Sequence, residues 1–110
     1  LKNSFQAARF VVFEDIITLD DVAIQRILRD VETKELALAL KGASEEVANV
    51  IYKNQSKRAA ASLKEDIEYL GPVRLTDVEK AQQQIVAVIR RLEDAQEIII
   101  SRGGEDALIM

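Results

Sequence analysis

The chain contains no cysteine and no histidine. Without cysteine, neither disulfides nor thiolate metal sites can form. Without histidine, the common zinc sites and the usual general base are missing too. Ser4, Ser44, Ser56, Ser62 and Ser101 therefore lack the partner that nucleophilic catalysis requires. Glycine is scarce, and Gly42, Gly71, Gly103 and Gly104 make no phosphate loop. Each reads instead as a helix stop. No apolar run approaches the roughly 18 residues of a membrane span. The longest, Phe10 to Phe13 and Ile98 to Ile100, fall far short. Nor does the balance of 15 basic against 19 acidic residues, with a pI near 4.9, suit a nucleic-acid binder, which needs a net basic face. Leu1 opens the chain with no charged region and apolar core of a secretory leader. The expectation is a soluble, cytoplasmic piece of a longer protein, since Leu1 is not an initiator methionine.

What remains is 110 residues, 48% hydrophobic and only 5% aromatic. That is the size of one domain, with an aliphatic, helical core. Residues 1–9 place Leu1, Phe5 and Ala8 at helical spacing, as in the tail of a helix from a preceding unit. Phe10-Val11-Val12-Phe13 follows. It is compatible with a strand, but no partner strand is evident, and a short helix from about Val12 to Thr18 or an apolar connector fits better.

Regular punctuation begins at Thr18. Asp20 or Asp21 can cap a helix carrying Ile24, Ile27, Leu28 and Val31. Thr33 can cap the next, which carries Leu36, Leu40 and alternating alanines and stops at Gly42. Its small residues allow either a close-packed core helix, the commoner use, or a groove for a partner helix. Ser44 before Glu45 and Glu46 starts a third helix, because anions suit the positive end. Ser56 caps a fourth. Thr76 with Glu79 predicts a capping box for the longest helix, with Leu75, Val78, Ile85, Val88, Ile89 and Leu92 along one side. Gly103-Gly104 would end the ordered part. The expected fold is all-α, a compact bundle of about six short helices. Its boundaries are 1–13 for helix tail and connector, 14–102 for the helical domain and 103–110 for a flexible tail.

The helix from Lys57 to the Gly71-Pro72 stop is the most informative. Ala59, Ala60, Leu63, Ile67 and Leu70 share a narrow apolar sector. Arg58 and Glu65, seven residues apart, fall within roughly 20° of each other on the opposite side. Lys57, Lys64, Asp66 and Glu68 spread around the flanks, and Arg74 sits just past the break. Such a face is commonly a solvated surface. Glu65-Asp66 and Glu45-Glu46 are sequence neighbours pointing about 100° apart, which does not make a catalytic pair on facing walls.

The segments LALALKGASEE, NQSKRAAASLKED, GPVRLTDVEKAQQ and the ending RGGEDALIM resemble the C-terminal domain family of the flagellar motor switch protein FliG. The resemblance runs from about Phe10 onward, in long ungapped motifs. It implies an all-helical domain that receives force from the stator and helps set rotation direction, with no enzymatic activity and no cofactor or metal. It implies the stator protein MotA as partner, with the switch protein FliM and further FliG copies in the rotor ring. It places the chain at the cytoplasmic face of the inner membrane. Matched position by position, the stator-facing charges are Lys41 in LKGAS, Arg58 in SKRAA, the acidic pair Glu65 and Asp66, and Arg74 in GPVR. Glu65 stands where some members carry Asp, which keeps the charge and lengthens the arm. Phe10, Val11, Val12 and Phe13 match a Met-Phe-x-Phe hinge element in part, with Phe10 for Met and Val11 for the first Phe. A buried apolar linker is an equal reading there. The family's FliM-binding middle-domain motif and its membrane-ring domain are missing, so this piece alone would not build a rotor. A generic helical adaptor is the alternative.

Overall fold

A computed structural model describes residues 10–100. The expected helix tail in residues 1–9, the Gly103-Gly104 stop and the tail 103–110 lie outside them. The described chain forms a 3-10 helix, Phe13–Thr18, then five α-helices: α1 Asp21–Arg29, α2 Thr33–Lys41, α3 Glu45–Lys53, α4 Lys57–Leu70 and α5 Leu75–Asp94. No strand occurs among the described residues.

Three of the five α-helices start where a short polar side chain satisfies an orphan amide. Asp20 Oδ1 accepts from Ala23 N at 2.8 Å, so Asp20 and not Asp21 caps α1. Ser44 Oγ accepts from Val47 N at 3.2 Å, and Ser56 Oγ from Ala59 N at 3.0 Å. Two expected caps fail. Thr33 is the first residue of α2, and Glu32, in extended conformation, takes the cap position without a side-chain bond. Thr76 is likewise already inside α5, whose cap position is Arg74 with φ −79° and ψ 140°. The capping box therefore does not form, because its threonine carries helical dihedrals and cannot turn back on the amides.

Helix α2 lies at the centre, packed against α5 on one side and α4 on the other. Leu36, Ala37, Ala39 and Leu40 are all buried, so the alternating alanines serve close packing within the core. The core is aliphatic, as the composition implied: Ile16, Ile24, Ile27, Val47, Ile51, Leu63, Ile85, Val86 and Ile89 are almost wholly enclosed. Only Phe10 and Phe13 add aromatic rings among its described members. On α5 the buried stripe is Val78, Ala81, Ile85, Val86, Ile89 and Leu92, while Leu75 is 69% exposed. Leu75 and Ala59 lie in the first turns of α5 and α4, and both are exposed.

The far end of α5 is closed by backbone bonds. Glu97 N donates to Leu92 O at 2.8 Å and Gln96 N to Glu93 O at 2.9 Å. Gln96 holds the left-handed φ of 59° that such a stop needs. Glycine normally fills that position, because other side chains crowd their own backbone there. Replacing Gln96 with Gly is therefore expected to raise stability by about 0.5–1 kcal/mol, read as a later urea midpoint with an unchanged slope. An earlier midpoint would mean the glutamine side chain contributes something its backbone strain conceals.

A charge network ties this end to α1. Arg26 pairs with Asp30 at 3.0 Å and also with Glu97, and Arg91 reaches Asp30 at 3.1 Å. The hydrogen bond from Arg26 holds the Asp30 carboxyl below the ordinary carboxylate range, and Asp30 in turn raises Arg26. Nearby, Asp21 accepts from Asn54 Nδ2 at 3.1 Å and lies 3.6 Å from Lys53 Nζ. Arg26, Asp30, Arg91 and Glu97 thus pair with one another, as do Asp21 and Lys53.

Candidate functional site

On α4 the opposite holds. Leu63 is its one buried residue, with Ala60, Ile67 and Leu70 half-buried against α2 and α3. The remaining circumference faces solvent. Arg58 and Glu65 are exposed there, roughly 10 Å apart along the axis at 1.5 Å per residue. Neither they, nor Asp66, nor Arg74 makes an ion pair or side-chain hydrogen bond with another described residue. These are four full charges with no internal employment.

Their order along the helix also runs against its dipole. The first turn holds Lys57 and Arg58 and no acid; the last turn holds no base but contains Glu68, with Glu65 and Asp66 just before it. A helix N-terminus carries partial positive charge and a C-terminus partial negative, so each misplaced charge costs about 0.3–1 kcal/mol within the end turns. The other helices conform: α1 has Asp21 first and Arg26 and Arg29 last, and α3 has Glu45 and Glu46 first and Lys53 last. Only α4 combines a cationic first turn with an acidic second half, which sets a stability cost against whatever these charges do outside the molecule.

Lys41 differs from the other sequence-assigned charges. Its Nζ donates to Ile67 O at 3.3 Å. That carbonyl is an orphan, since Gly71 N, its expected helical partner, bonds to Glu68 O at 3.2 Å instead. Lys41, the last residue of α2, thus caps the C-terminal end of α4 and supplies the cation that end lacks. Lys41→Met is expected to fray the last turn of α4, lowering stability by about 0.5–1.5 kcal/mol, the worth of one such bond. Hydrogen exchange at Tyr69, Leu70 and Gly71 would report it; unchanged protection there would mean Lys41 is only a surface charge.

Gly71 follows with φ 61° and ψ −154°, a conformation open to glycine almost alone, and nothing lies within 4 Å of the place a Cβ would take. The chain turns sharply, and Arg74 emerges four residues after α4, exposed, its carbonyl accepting from Asp77 N and Val78 N. Lys41 thus touches the C-terminal end of α4, Asp66 and Glu65 lie four and five residues before that end, Arg74 lies four after it, and Arg58 is in the first turn. Asp66 is half-buried, one wall of a hollow of about 410 Å³ between α2 and α4 that also involves Lys34 and Tyr69. Neither residue stands out in the sequence as a site. An aromatic off the apolar stripe, in a chain with 5% aromatics, was the available signal for Tyr69.

The connector divides residue by residue. Phe10 and Phe13 are buried, at 0% and 3% exposure, while Val11 and Val12 between them stand 50% and 52% exposed. Arg90 Nε donates to the Phe10 carbonyl at 2.8 Å, fixing the segment to α5. Val12 is extended, with φ −102° and ψ 125°, and the 3-10 helix begins immediately after it, close to where the short helix was expected.

A family model described as FliG C-terminal domain matches residues 7–100. The flagellar motor switch protein FliG of Thermotoga maritima is 64% identical over 102 residues, 93% of this chain and 30% of that protein. The protein of the same name from Bacillus subtilis is 55% identical over the same shares of both chains. Among solved structures, FliG residues 116–343 from H. pylori superimpose with a TM-score of 0.81 at 36% identity, covering 83% of this chain and 40% of that one. Full-length FliG from Aquifex aeolicus gives 0.75 at 45% identity, covering 76% and 26%. The chain therefore spans about 30% of the length of the curated relatives it matches.

Proposed function

Because this chain belongs to the FliG C-terminal domain family, we propose that it is the rotor-side torque-receiving and switching domain of a bacterial flagellar motor, acting without catalysis. The stator protein MotA would meet it at Arg58, Glu65, Asp66 and Arg74. The observation that supports this reading is the unpaired charge on α4, arranged against the helix dipole, where Arg26, Asp30, Arg91 and Glu97 are paired with one another. Exposed ion pairs are worth about 0–1 kcal/mol each. That weakness suits contacts made and broken at every step, while several acting together steer the approach and fix its register. Lys41 enters as a strut for α4 as well as a charge at its rim. The domain would work within the whole switch protein, beside further FliG copies and FliM in the rotor ring, at the cytoplasmic face of the inner membrane. Among the described residues, no helix is long and apolar enough to cross a membrane. The direct test is reversal of the α4 charges in motile cells, with compensating reversals on the stator.

Residues 14–102 form the stator-facing unit in this reading, with residues 1–13 leading into it and 103–110 following it. Phe10, Val11, Val12 and Phe13 act as the hinge in this reading, and their alternating burial lets two substitutions distinguish it from a buried linker. Phe13→Ser removes a core ring and is expected to cost about 3–5 kcal/mol, close to unfolding a small domain. Val12→Ser, half exposed, should leave the melting temperature nearly unchanged and shift the fraction of time spent in each rotation sense. Unaltered switching bias in a stable Val12→Ser rotor would remove the hinge role and leave an anchored linker.

A further inference from the structure

The hollow beside Asp66 carries more than the charges account for. Its floor is apolar: Ala37 is 2% exposed and Leu70 half-buried. Tyr69 forms one wall and is 85% exposed, so its ring covers none of the core and stands ready to be covered. The small side chain of Ala37 leaves the space open. Lys34 and Asp66 reach the rim from different helices, α2 and α4, and neither makes an ion pair with the other or with another described residue. Helical spacing fixes the arrangement, since Lys34 lies three residues before Ala37 and Asp66 three before Tyr69, each pair on one face.

We infer that this hollow seats one large apolar side chain of the stator, with Tyr69 closing over it, an acidic stator residue meeting Lys34 and a basic one meeting Asp66. The inference rests on the torque-receiving reading and deepens it, because Asp66 belongs both to the charged face and to the hollow. The chemistry of the rim identifies the occupant. An apolar floor between one unpaired cation and one unpaired anion complements an aliphatic or aromatic anchor on a helix that carries both signs of charge. A few well-packed, desolvated anchors, aromatic ones above all, carry most of the binding energy of an interface, while rim charges supply orientation. The division of labour is then clear: Arg58 and Glu65 steer, and Tyr69 holds through the loaded part of each step.

The test uses the full-length switch protein in motile cells. A photoreactive phenylalanine replaces Tyr69, and a second strain carries it at Val22, 76% exposed on α1 and remote from α4 in sequence. Irradiation should join position 69 to MotA and leave position 22 without that adduct. Tyr69→Ala, harmless to folding at so exposed a site, should lose torque at high load, and Tyr69→Phe should keep it. Absence of a MotA adduct at position 69, or an adduct to another rotor subunit there, together with wild-type torque in Tyr69→Ala, would overturn the inference. If Arg58→Glu still impairs swimming in that case, the charged face stands and only the hollow is lost. If neither Arg58→Glu nor Tyr69→Ala has any effect, both readings fall together.

Discussion

Rotors carrying Arg58→Glu together with Asp66→Lys are expected to fold at least as stably as the parent and to lose most of their swimming. The two halves of that result come from different physics. Arg58 lies in the first turn of α4, where a positive charge opposes the helix dipole. A glutamate there suits the dipole and should add about 0.3–1 kcal/mol. Asp66 lies in the second half of the helix, half-buried and unpaired, so its reversal stays within about 0.5 kcal/mol, as for ordinary surface sites. Torque is expected to respond in the opposite direction, because reversed charges would place like signs across the proposed stator contact. Each single reversal should impair motility less than the pair, since each contact is individually weak. Thermal melts of the purified protein and swimming speeds of the matching strains measure the two sides. A mutant that gains stability while losing function is a signature that a merely solvated face cannot produce.

The second large effect lies where α2 meets α5. Gly42→Ala should cost about 1–3 kcal/mol, the usual cost of overpacking, or a fall in melting temperature of roughly 5–20 °C for a domain of this size. The cause is contact and not dihedral strain. Gly42 has an ordinary φ of −110°, but a Cβ there would come within 2.7 Å of Val78 Cγ1. Val78 is buried at 4% exposure and β-branched, so it has few rotamers into which to retreat. Gly42→Ala combined with Val78→Ala should therefore recover part of the loss, giving a non-zero coupling energy in the double-mutant cycle. Gly71→Ala provides the contrast. There the backbone demands glycine and nothing crowds the site, so Val78→Ala should restore nothing. The close approach at Gly42 joins α2 to α5, and the neighbouring Lys41 joins α2 to α4, so this junction sets where the charged helix stands.

Much of this was legible in the sequence, and the residues show why. Ser44 and Ser56 each precede a helix and cap it, since a short hydroxyl before an apolar repeat has one common use. The spacing of Leu63, Ile67 and Leu70 identified the packed side of α4 and hence the free side. The errors came from positions where local chemistry competes with tertiary packing. Thr33 and Thr76 look like caps, but α2 and α5 begin one residue or more earlier than their threonines allow. The end of α5 has no glycine to announce it, because Gln96 adopts the left-handed turn that glycine usually takes. Gly42 was read as a stop for α2, which it is, but the Val78 contact that requires it is 36 residues away and cannot be seen along the chain. The capping role of Lys41 and the hollow at Tyr69 are likewise products of two helices meeting. The charges are visible in the sequence; only the packed structure distinguishes Lys41, bonded to the end of α4, from Arg58, Glu65, Asp66 and Arg74, whose side chains bond to no other described residue.

The measurement that bears most directly on the central claim is an exchange of charge between rotor and stator. Arg58→Glu should impair swimming against the native stator and recover part of it against a MotA in which the acidic residue facing Arg58 has been made basic. The same MotA change should impair a rotor with Arg58 intact. Recovery in the doubly reversed motor means that the contact depends on charge sign across α4. Swimming at the parental level in the singly reversed Arg58→Glu motor, with the protein folded and assembled, would contradict the account and reduce α4 to a solvated surface.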